Sequence, residues 1–483
     1  MTDHDEPQPA GGSGLLSADG GESATSRGFR FRRATPAHRA TRAQSARNAA
    51  RPTGGGRGHR PALWATAALA IAVVALGALT AVQLARPYAA PKITGALAGT
   101  HVVAGTRPVL PWPASGEAEV DVQGIGMLGA LHATTPVPIA SLTKMMTALI
   151  VLTDHPLAPL AAPGSGGGAP SDGPVLTVSR TDVTTAFFEA LGGQSVARVA
   201  AGETLTERQA LEALLVPSAN NIAAILAVWD AGSVSAFVAK MNAQAQALHM
   251  TGTHYADVSG VDPATVSDAH DLVLLAEQAM ANPTFAQIVA EPQVVLPVAG
   301  LVYNDNALVG HDQFIGVKTG YTSQAGGCFT FVTTLTVGGR LLHIVGVVLG
   351  QRGRSDLDTA LHAGQLLADA AARTVREITA VPAGEVVASV VLASGQRIPV
   401  TVRAPARLLA WPGLRLQVHA SISLGPHGSP PPAGARLAAG PLPGNGDPTG
   451  DLTVTVGTQR VSVAVATARP VGSPSLLWRL TRP

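Results

Sequence analysis

The chain has 483 residues, 46% of them hydrophobic and 13% charged, with a formal net charge of +2. That length holds two or three domains and a large core, and so small a net charge gives no electrostatic reason to expect a nucleic-acid partner. Cys328 is the only cysteine, which excludes an intramolecular disulfide, and the 14 histidines form no H-E-x-x-H or other ligand spacing, so neither a metal nor another cofactor is implied.

Residues 1–60 are rich in Gly, Ser, Pro and Arg and predict a disordered tail. Its charge is local: ten arginines lie between Arg27 and Arg60, with no Asp or Glu among them. Residues 61–85 follow without a charge, and about 25 residues of helix rise roughly 37 Å, enough to cross a bilayer. Arginines before the segment and few after it predict a single-pass anchor with a cytoplasmic N-terminus. A cleaved signal peptide is the rival, although about 60 preceding residues make a long n-region. A buried core helix is the third reading.

Residues 86–111 read as a linker, residues 112–374 as one mixed domain, and residues 375–483 as a small all-β domain. Within the mixed domain, helices are expected at Ser141–Thr153, from the Thr206/Gln209 capping box to Val216, and at Ile222–Asp230 and Val234–Leu248. Two more are expected at Asp268–Ala281, with Ser267 as N-cap, and at Asp356–Arg373. Pro156–Pro174 reads as a flexible loop from its Gly and Pro content. Phe329–Val337 and Leu341–Leu349, joined by Gly338-Gly339, predict a hairpin, and Cys328 at its start is a small buried hydrophobe. In the last domain strands are expected at Val381–Val402, Leu414–Leu424, Leu452–Val456 and Val461–Val465, with a Pro/Gly-rich loop at Gly425–Gly450.

Three short motifs carry the chemistry: Ser141-Leu-Thr-Lys144, Ser218-Ala-Asn220 and Lys318-Thr-Gly320, in that order and roughly 80 and then 100 residues apart. Ser and Lys three apart on a helix share a face, as a serine needs if an amine is to take its proton. A free lysine is a cation at pH 7, so Lys144 must be desolvated or placed beside another positive charge, and Lys318 can supply that charge. The helix N-terminus offers the Ser141 N–H to an oxyanion. The plainer reading, Ser141 as an N-cap and Lys144 as a surface lysine, fits poorly with the apolar residues on both sides. Ser218 and Asn220 fall between two helical runs, where short polar side chains often only satisfy backbone groups. Lys318 follows an apolar strand containing Gly316, and glycines there would let a substrate peptide align along the strand edge.

The motif set resembles the penicillin-recognising serine enzymes. Pro138-Ile-Ala-Ser-Leu-Thr-Lys-Met-Met, Gly202-Glu-Thr-Leu-Thr, Leu214-Leu-Val-Pro-Ser-Ala-Asn-Asn and Gly316-Val-Lys-Thr-Gly-Tyr-Thr narrow the resemblance to the D-alanyl-D-alanine carboxypeptidases among the low-molecular-mass penicillin-binding proteins. It covers about Trp112 to Arg373. It implies an α+β fold, an antiparallel sheet with flanking helices and a helical subdomain, with the active site between them. It also implies a bacterial membrane enzyme that removes the terminal D-Ala from peptidoglycan stem pentapeptides through an acyl-enzyme, and that β-lactam antibiotics acylate. Carried over residue by residue, Ser141 is the nucleophile, Lys144 its base and Ser218 a proton relay. Asn220 meets the substrate amide, Lys318 and Thr319 hold its carboxylate end, and the Tyr321 N–H after Gly320 completes the oxyanion hole. In Gly350-Gln-Arg352-Gly-Arg354, the carboxylate-binding arginine maps to Arg354, with Arg352 the near alternative and a solvated loop arginine the plain one.

Two departures stand out. The family commonly has a cleaved signal and a C-terminal amphipathic anchor, whereas this chain has an apolar N-terminal segment and only Leu476-Leu-Trp-Arg-Leu480 at its end. The Pro156–Pro174 loop is also an insertion between the first two motifs. Three rivals share the motifs: an endopeptidase cutting cross-links, a β-lactamase, and a non-catalytic wall-binding protein. Class A β-lactamases carry E-x-x-L-N after S-x-N, and Asn221 to Gly320 contains no such segment.

Overall fold

The structure, a computed structural model, describes residues 60–160, 172–311, 313–424 and 448–483. The expected basic tail up to residue 59 therefore lies outside the described residues, as do residues 161–171 and 425–447 of the two Pro/Gly-rich loops. Contacts divide the chain into residues 1–76 and 77–483.

Arg60–Ala85 is one helix, and its stretch Leu63–Ala85 has a mean hydropathy of 2.3 and is buried nowhere. Its length and composition suffice to cross a bilayer. The core-helix reading falls, because none of its described residues is buried.

The centre of the larger unit is a five-stranded antiparallel sheet in the order Phe314–Thr322, Gly326–Val337, Arg340–Gln351, Glu117–Val122, Gly126–Leu131. The hairpin falls where expected: Gly338 and Gly339 both take positive φ, 58° and 77°, as a tight primed turn requires. Side chains alternate across the sheet. Val345, Val347 and Leu349 enter one core with the helices Lys144–Asp154, Glu207–Leu215, Asn220–Ala231 and Ala269–Met280. Ile344 and Val348 enter the other, under the helix Asp356–Thr374. The α+β arrangement is as expected.

Local details differ. The S-x-x-K segment begins as a 3-10 turn, Ala140–Thr143, and becomes α-helical only at Lys144. The Thr206/Gln209 capping box is present. The helix expected after Ser267 is capped instead by Asp268, whose carboxylate accepts from the Asp271 N–H. Two helices not expected are Arg180–Leu191, opened by a Ser179/Asp182 capping box, and Pro283–Val289, capped by Asn282.

The expected linker, 86–111, is not one. It contributes Lys92–Thr94 and Ala98–Val102, the two outer strands of a seven-stranded antiparallel sheet whose other strands are Val386–Val391, Arg397–Val402, Gln459–Thr467, Pro448–Val456 and Arg415–Leu424. Ala98–Val102 is exposed along its whole length, so it has no alternation to read; only pairing with Arg415–His419 makes it a strand. The single strand expected over Val381–Val402 is broken by turns at Gly384 and Gly395, both with positive φ. A last helix, Leu476–Thr481, sets Trp478 edge-on to Tyr88, with centroids 6.4 Å apart. Arg479 donates to the Leu84 carbonyl and Arg482 to those of Gln83, Arg86 and Pro87, so two of the open carbonyls in the last turn of the apolar helix accept from these arginines.

Candidate active site

The three motifs meet. Ile139 and Ala140 are buried, and Ala140 takes a left-handed φ of 48°, which turns the chain sharply into the 3-10 turn that carries Ser141. Lys144 Nζ lies 2.7 Å from Ser141 Oγ and donates to the Ser259 carbonyl at 3.1 Å. The Lys144 side chain is wholly buried. Desolvation first, and then the Lys318 charge, hold its amine well below the usual lysine range, against the pull of Asp257, Asp305 and Glu189. A neutral amine in contact with a serine hydroxyl can accept its proton.

The loop that supplies the Ser259 carbonyl escaped the sequence reading. Asp257 organises it by accepting from the Ser259, Gly260 and Val261 N–H groups and from the Ser259 and Thr265 hydroxyls. Gly260, at φ +84°, lies so close to the turn carrying Ser141 that a Cβ would stand 1.8 Å from the Ala140 oxygen. Asp-x-Ser-Gly is a turn signature, and that signal was present in the sequence.

Ser218 and Asn220 are both buried. Ser218 has φ +60°, and its Oγ has no hydrogen-bond partner among the described residues; the Asn220 Oδ1 has none there either. Asn220 Nδ2 donates to Gln194 Oε1 at 2.8 Å. Glu189 brings a further buried oxygen, Oε2, without a hydrogen-bond partner among the described residues, and its carboxyl is pushed up by desolvation despite the Lys144 charge. The Asp305 N–H donates to the Val216 carbonyl at 3.1 Å, so the S-x-N turn is tied to the segment that brings Asp305 within range of both lysines.

Lys318, Thr319 and Gly320 are on Phe314–Thr322, an edge strand with one hydrogen-bonding edge unpaired in the sheet. Burial outweighs the attraction of Asp305 and brings the Lys318 amine down to about 8. The glycines of this strand are explained by packing. A Cβ on Gly316 would meet Val289 Cγ2 at 2.8 Å, and one on Gly320 would meet the Ser141 nitrogen at 2.8 Å. The expectation that Gly316 makes room for substrate is therefore corrected: its open face is filled by the helix Pro283–Val289. Tyr321 follows with an exposed side chain. Cys328, opposite Gly320, is buried as expected, and burial raises its thiol to about 12.

The two arginines separate. Arg352 donates to the Ser323 and Gln324 carbonyls at 2.8 and 2.7 Å and pairs with Asp356 at 3.2 Å, which occupies it in holding the turn after the K-T-G strand. Arg354 is exposed and makes no hydrogen bond or ion pair among the described residues, so the structure does not itself bring it to the motifs.

Comparison with known proteins places this geometry. A family model described as D-alanyl-D-alanine carboxypeptidase matches residues 119–353, which include all three motifs. The D-alanyl-D-alanine carboxypeptidase DacB2 of Mycobacterium tuberculosis is 34% identical over 248 residues, covering 50% of this chain and 77% of that protein. A D-alanyl-D-alanine endopeptidase of Pseudomonas aeruginosa is 32% identical over 232 residues, covering 46% of this chain and 68% of that protein. Among solved structures, the D-alanyl-D-alanine carboxypeptidase DacD from Francisella tularensis matches with a TM-score of 0.50 at 20% identity, over 76% of this chain and 96% of that one, a likeness of fold.

Proposed function

The chain belongs to the D-alanyl-D-alanine carboxypeptidase family of serine peptidases that act on peptidoglycan, and we propose that it removes the terminal D-Ala from stem pentapeptides. The observation that carries this reading is the buried Lys144 amine 2.7 Å from Ser141 Oγ. Ser141 Oγ attacks the carbonyl carbon of the penultimate D-Ala while its proton passes to Lys144. The oxyanion is held by the N–H groups of Ser141 and Tyr321. Collapse breaks the C–N bond, and the leaving amine takes a proton through Ser218 Oγ. Water then attacks the ester with Lys144 again as base, releasing the shortened peptide and returning Ser141 to its hydroxyl form.

Asn220 meets the substrate amide, the open edge of Phe314–Thr322 takes its backbone, and Lys318 and Thr319 hold its terminal carboxylate together with Arg354. A β-lactam enters the same route and stops at the acyl-enzyme. The apolar helix anchors the chain, with its ten preceding arginines on the cytoplasmic side and the catalytic domain outside.

The similarity to an endopeptidase makes cleavage of cross-linked dimers the second reading. The full chain in detergent is incubated with a pentapeptide ending in D-Ala-D-Ala, with a cross-linked dimer, and with penicillin. Free D-alanine without dimer cleavage, and a penicillin adduct on Ser141, support the proposal. Dimer cleavage without release of D-alanine from the pentapeptide favours the endopeptidase. An adduct that survives Ser141→Ala overturns the nucleophile.

A further inference from the structure

A side-chain amide presents an acceptor on one end and donors on the other, in nearly the same shape, so which end the substrate meets depends on what holds the group. Asn220 is held from one side. Its Nδ2 donates to Gln194 Oε1 at 2.8 Å, and its backbone N–H donates to the Ser195 carbonyl, also at 2.8 Å. The segment carrying Gln194 is itself fixed. Asn221 accepts from the Ala197 N–H at 3.0 Å and donates to the Ala197 carbonyl at 2.9 Å, while the Gln194 N–H donates to the Glu189 carbonyl at 3.0 Å. These bonds lay residues 194–197 along Asn220–Asn221 in a single register. What remains is Asn220 Oδ1, buried and without a partner among the described residues.

We propose that Gln194 is a positioning residue that orients the Asn220 amide and so decides which of its two ends is presented in the catalytic cleft. Gln194 belongs to none of the three motifs. The inference rests on the acyl-transfer reading of the site, in which Asn220 meets the substrate. A residue at 194 that only accepts keeps the Asn220 amide as it stands. One that only donates turns it over, so that a buried donor stands where the reaction is matched to an acceptor.

The test uses the full chain in detergent and three variants, Gln194→Glu, Gln194→Lys and Gln194→Ala. It measures kcat and KM on the D-Ala-D-Ala pentapeptide and acylation by a fluorescent penicillin, each on the plateau of its own pH profile. Gln194→Glu is expected to stay within about threefold of wild type, and Gln194→Lys and Gln194→Ala to lose about 10- to 100-fold in kcat/KM and in acylation. Melting temperatures are recorded alongside, because a purely structural role predicts activity falling in step with stability. Equal activity of the Lys and Glu variants, wild-type activity of the Ala variant, or losses that only follow melting would overturn the proposal. A wild-type chain that penicillin does not label on Ser141 would remove the acyl-transfer reading, and this inference with it. Labelling of the wild type with no effect of Gln194→Ala would remove this inference alone.

Discussion

A Cβ built on Gly320 would stand 2.8 Å from the Ser141 backbone nitrogen, a separation that real Cβ atoms do not tolerate. The K-T-G strand is thus packed directly on the turn that presents the proposed nucleophile, and the nitrogen concerned is the proposed oxyanion donor. Gly320→Ala should therefore reduce acylation by penicillin about 100-fold, the scale of losing one oxyanion donor. Stopped-flow acylation of the full chain measures this, and a rate near wild type would show that the strand can recede without cost.

The Ser218 hydroxyl is buried with no partner among the described residues. A group kept for stability would be hydrogen-bonded, since an unpaired buried hydroxyl opposes folding. Ser218→Ala should then leave the melting temperature unchanged or raise it, while kcat falls about 100-fold with little change in KM. A lower melting temperature with unchanged kcat would make Ser218 structural.

The motifs were legible in the sequence because each spacing has one local geometry. Ser141 and Lys144 lie one helical turn apart, and Gly338-Gly339 has one hairpin to make. What stayed hidden was what depends on distant pairing. Ala98–Val102 is a strand only because Arg415–His419 lies beside it. Gln194 touches Asn220 across 26 positions, and Asp257 acts on Lys144 by its charge and by ordering the loop that supplies the Ser259 carbonyl. Gly316 was read for the wrong neighbour, because one sequence does not tell a face turned to substrate from one turned to Val289.

Arg352 and Arg354 stand two residues apart with different employment. Arg352 is bound to two carbonyls and to Asp356, whereas Arg354 is exposed without such bonds. Arg354→Ala should raise KM for the peptide acid at least about tenfold more than for its C-terminal amide, because a charge-assisted carboxylate contact is lost only with the acid. Arg352→Ala should weaken both substrates alike, through the Ser323–Gln324 turn. Equal effects of Arg354→Ala on acid and amide would take it out of the carboxylate site.

Behind the catalytic sheet, the strand Glu117–Val122 faces the helix Ala269–Met280 with acids on both sides: Glu117, Glu119 and Asp121 against Asp271 and Glu277, with Asp268 at the helix cap and His270 bonded to Glu119 at 2.9 Å. Desolvation raises Glu117 to about 7, and desolvation with repulsion from Glu277 raises Asp121 to about 7. A carboxyl raised in the fold favours the protonated state, so the stability it supports is complete below the unfolded value near 4 and is lost as pH rises through 7. His270, raised by its bond to Glu119, shifts stability in the same sense. The buried amines of Lys144 and Lys318, lowered in the fold, act in the opposite sense over the same interval. The strand's share is isolated by Glu117→Gln, in which the melting temperature should fall less, or rise more, between about pH 4 and pH 7 than in the wild type. A pH dependence identical in the two would contradict this account of the strand.

The rate of acylation should be bell-shaped in pH, for reasons carried by two different lysines. Lys144 must be neutral to take the Ser141 proton, so the rate rises as pH passes upward through its depressed value, far below the ordinary lysine range. In the proposed mechanism Lys318 holds the substrate carboxylate as a cation and helps to keep Lys144 neutral; burial brings its amine down to about 8, so the rate should fall again above that pH. Lys318→Met separates the two effects. Removing the positive neighbour lets the Lys144 value rise, which moves the ascending limb to higher pH, and it abolishes the descending limb. KM for the peptide acid rises at every pH, because the carboxylate has lost its cation. An ascending limb that stays in place in Lys318→Met would mean that burial alone keeps Lys144 neutral, and a limb displaced to lower pH would remove Lys144 as the base.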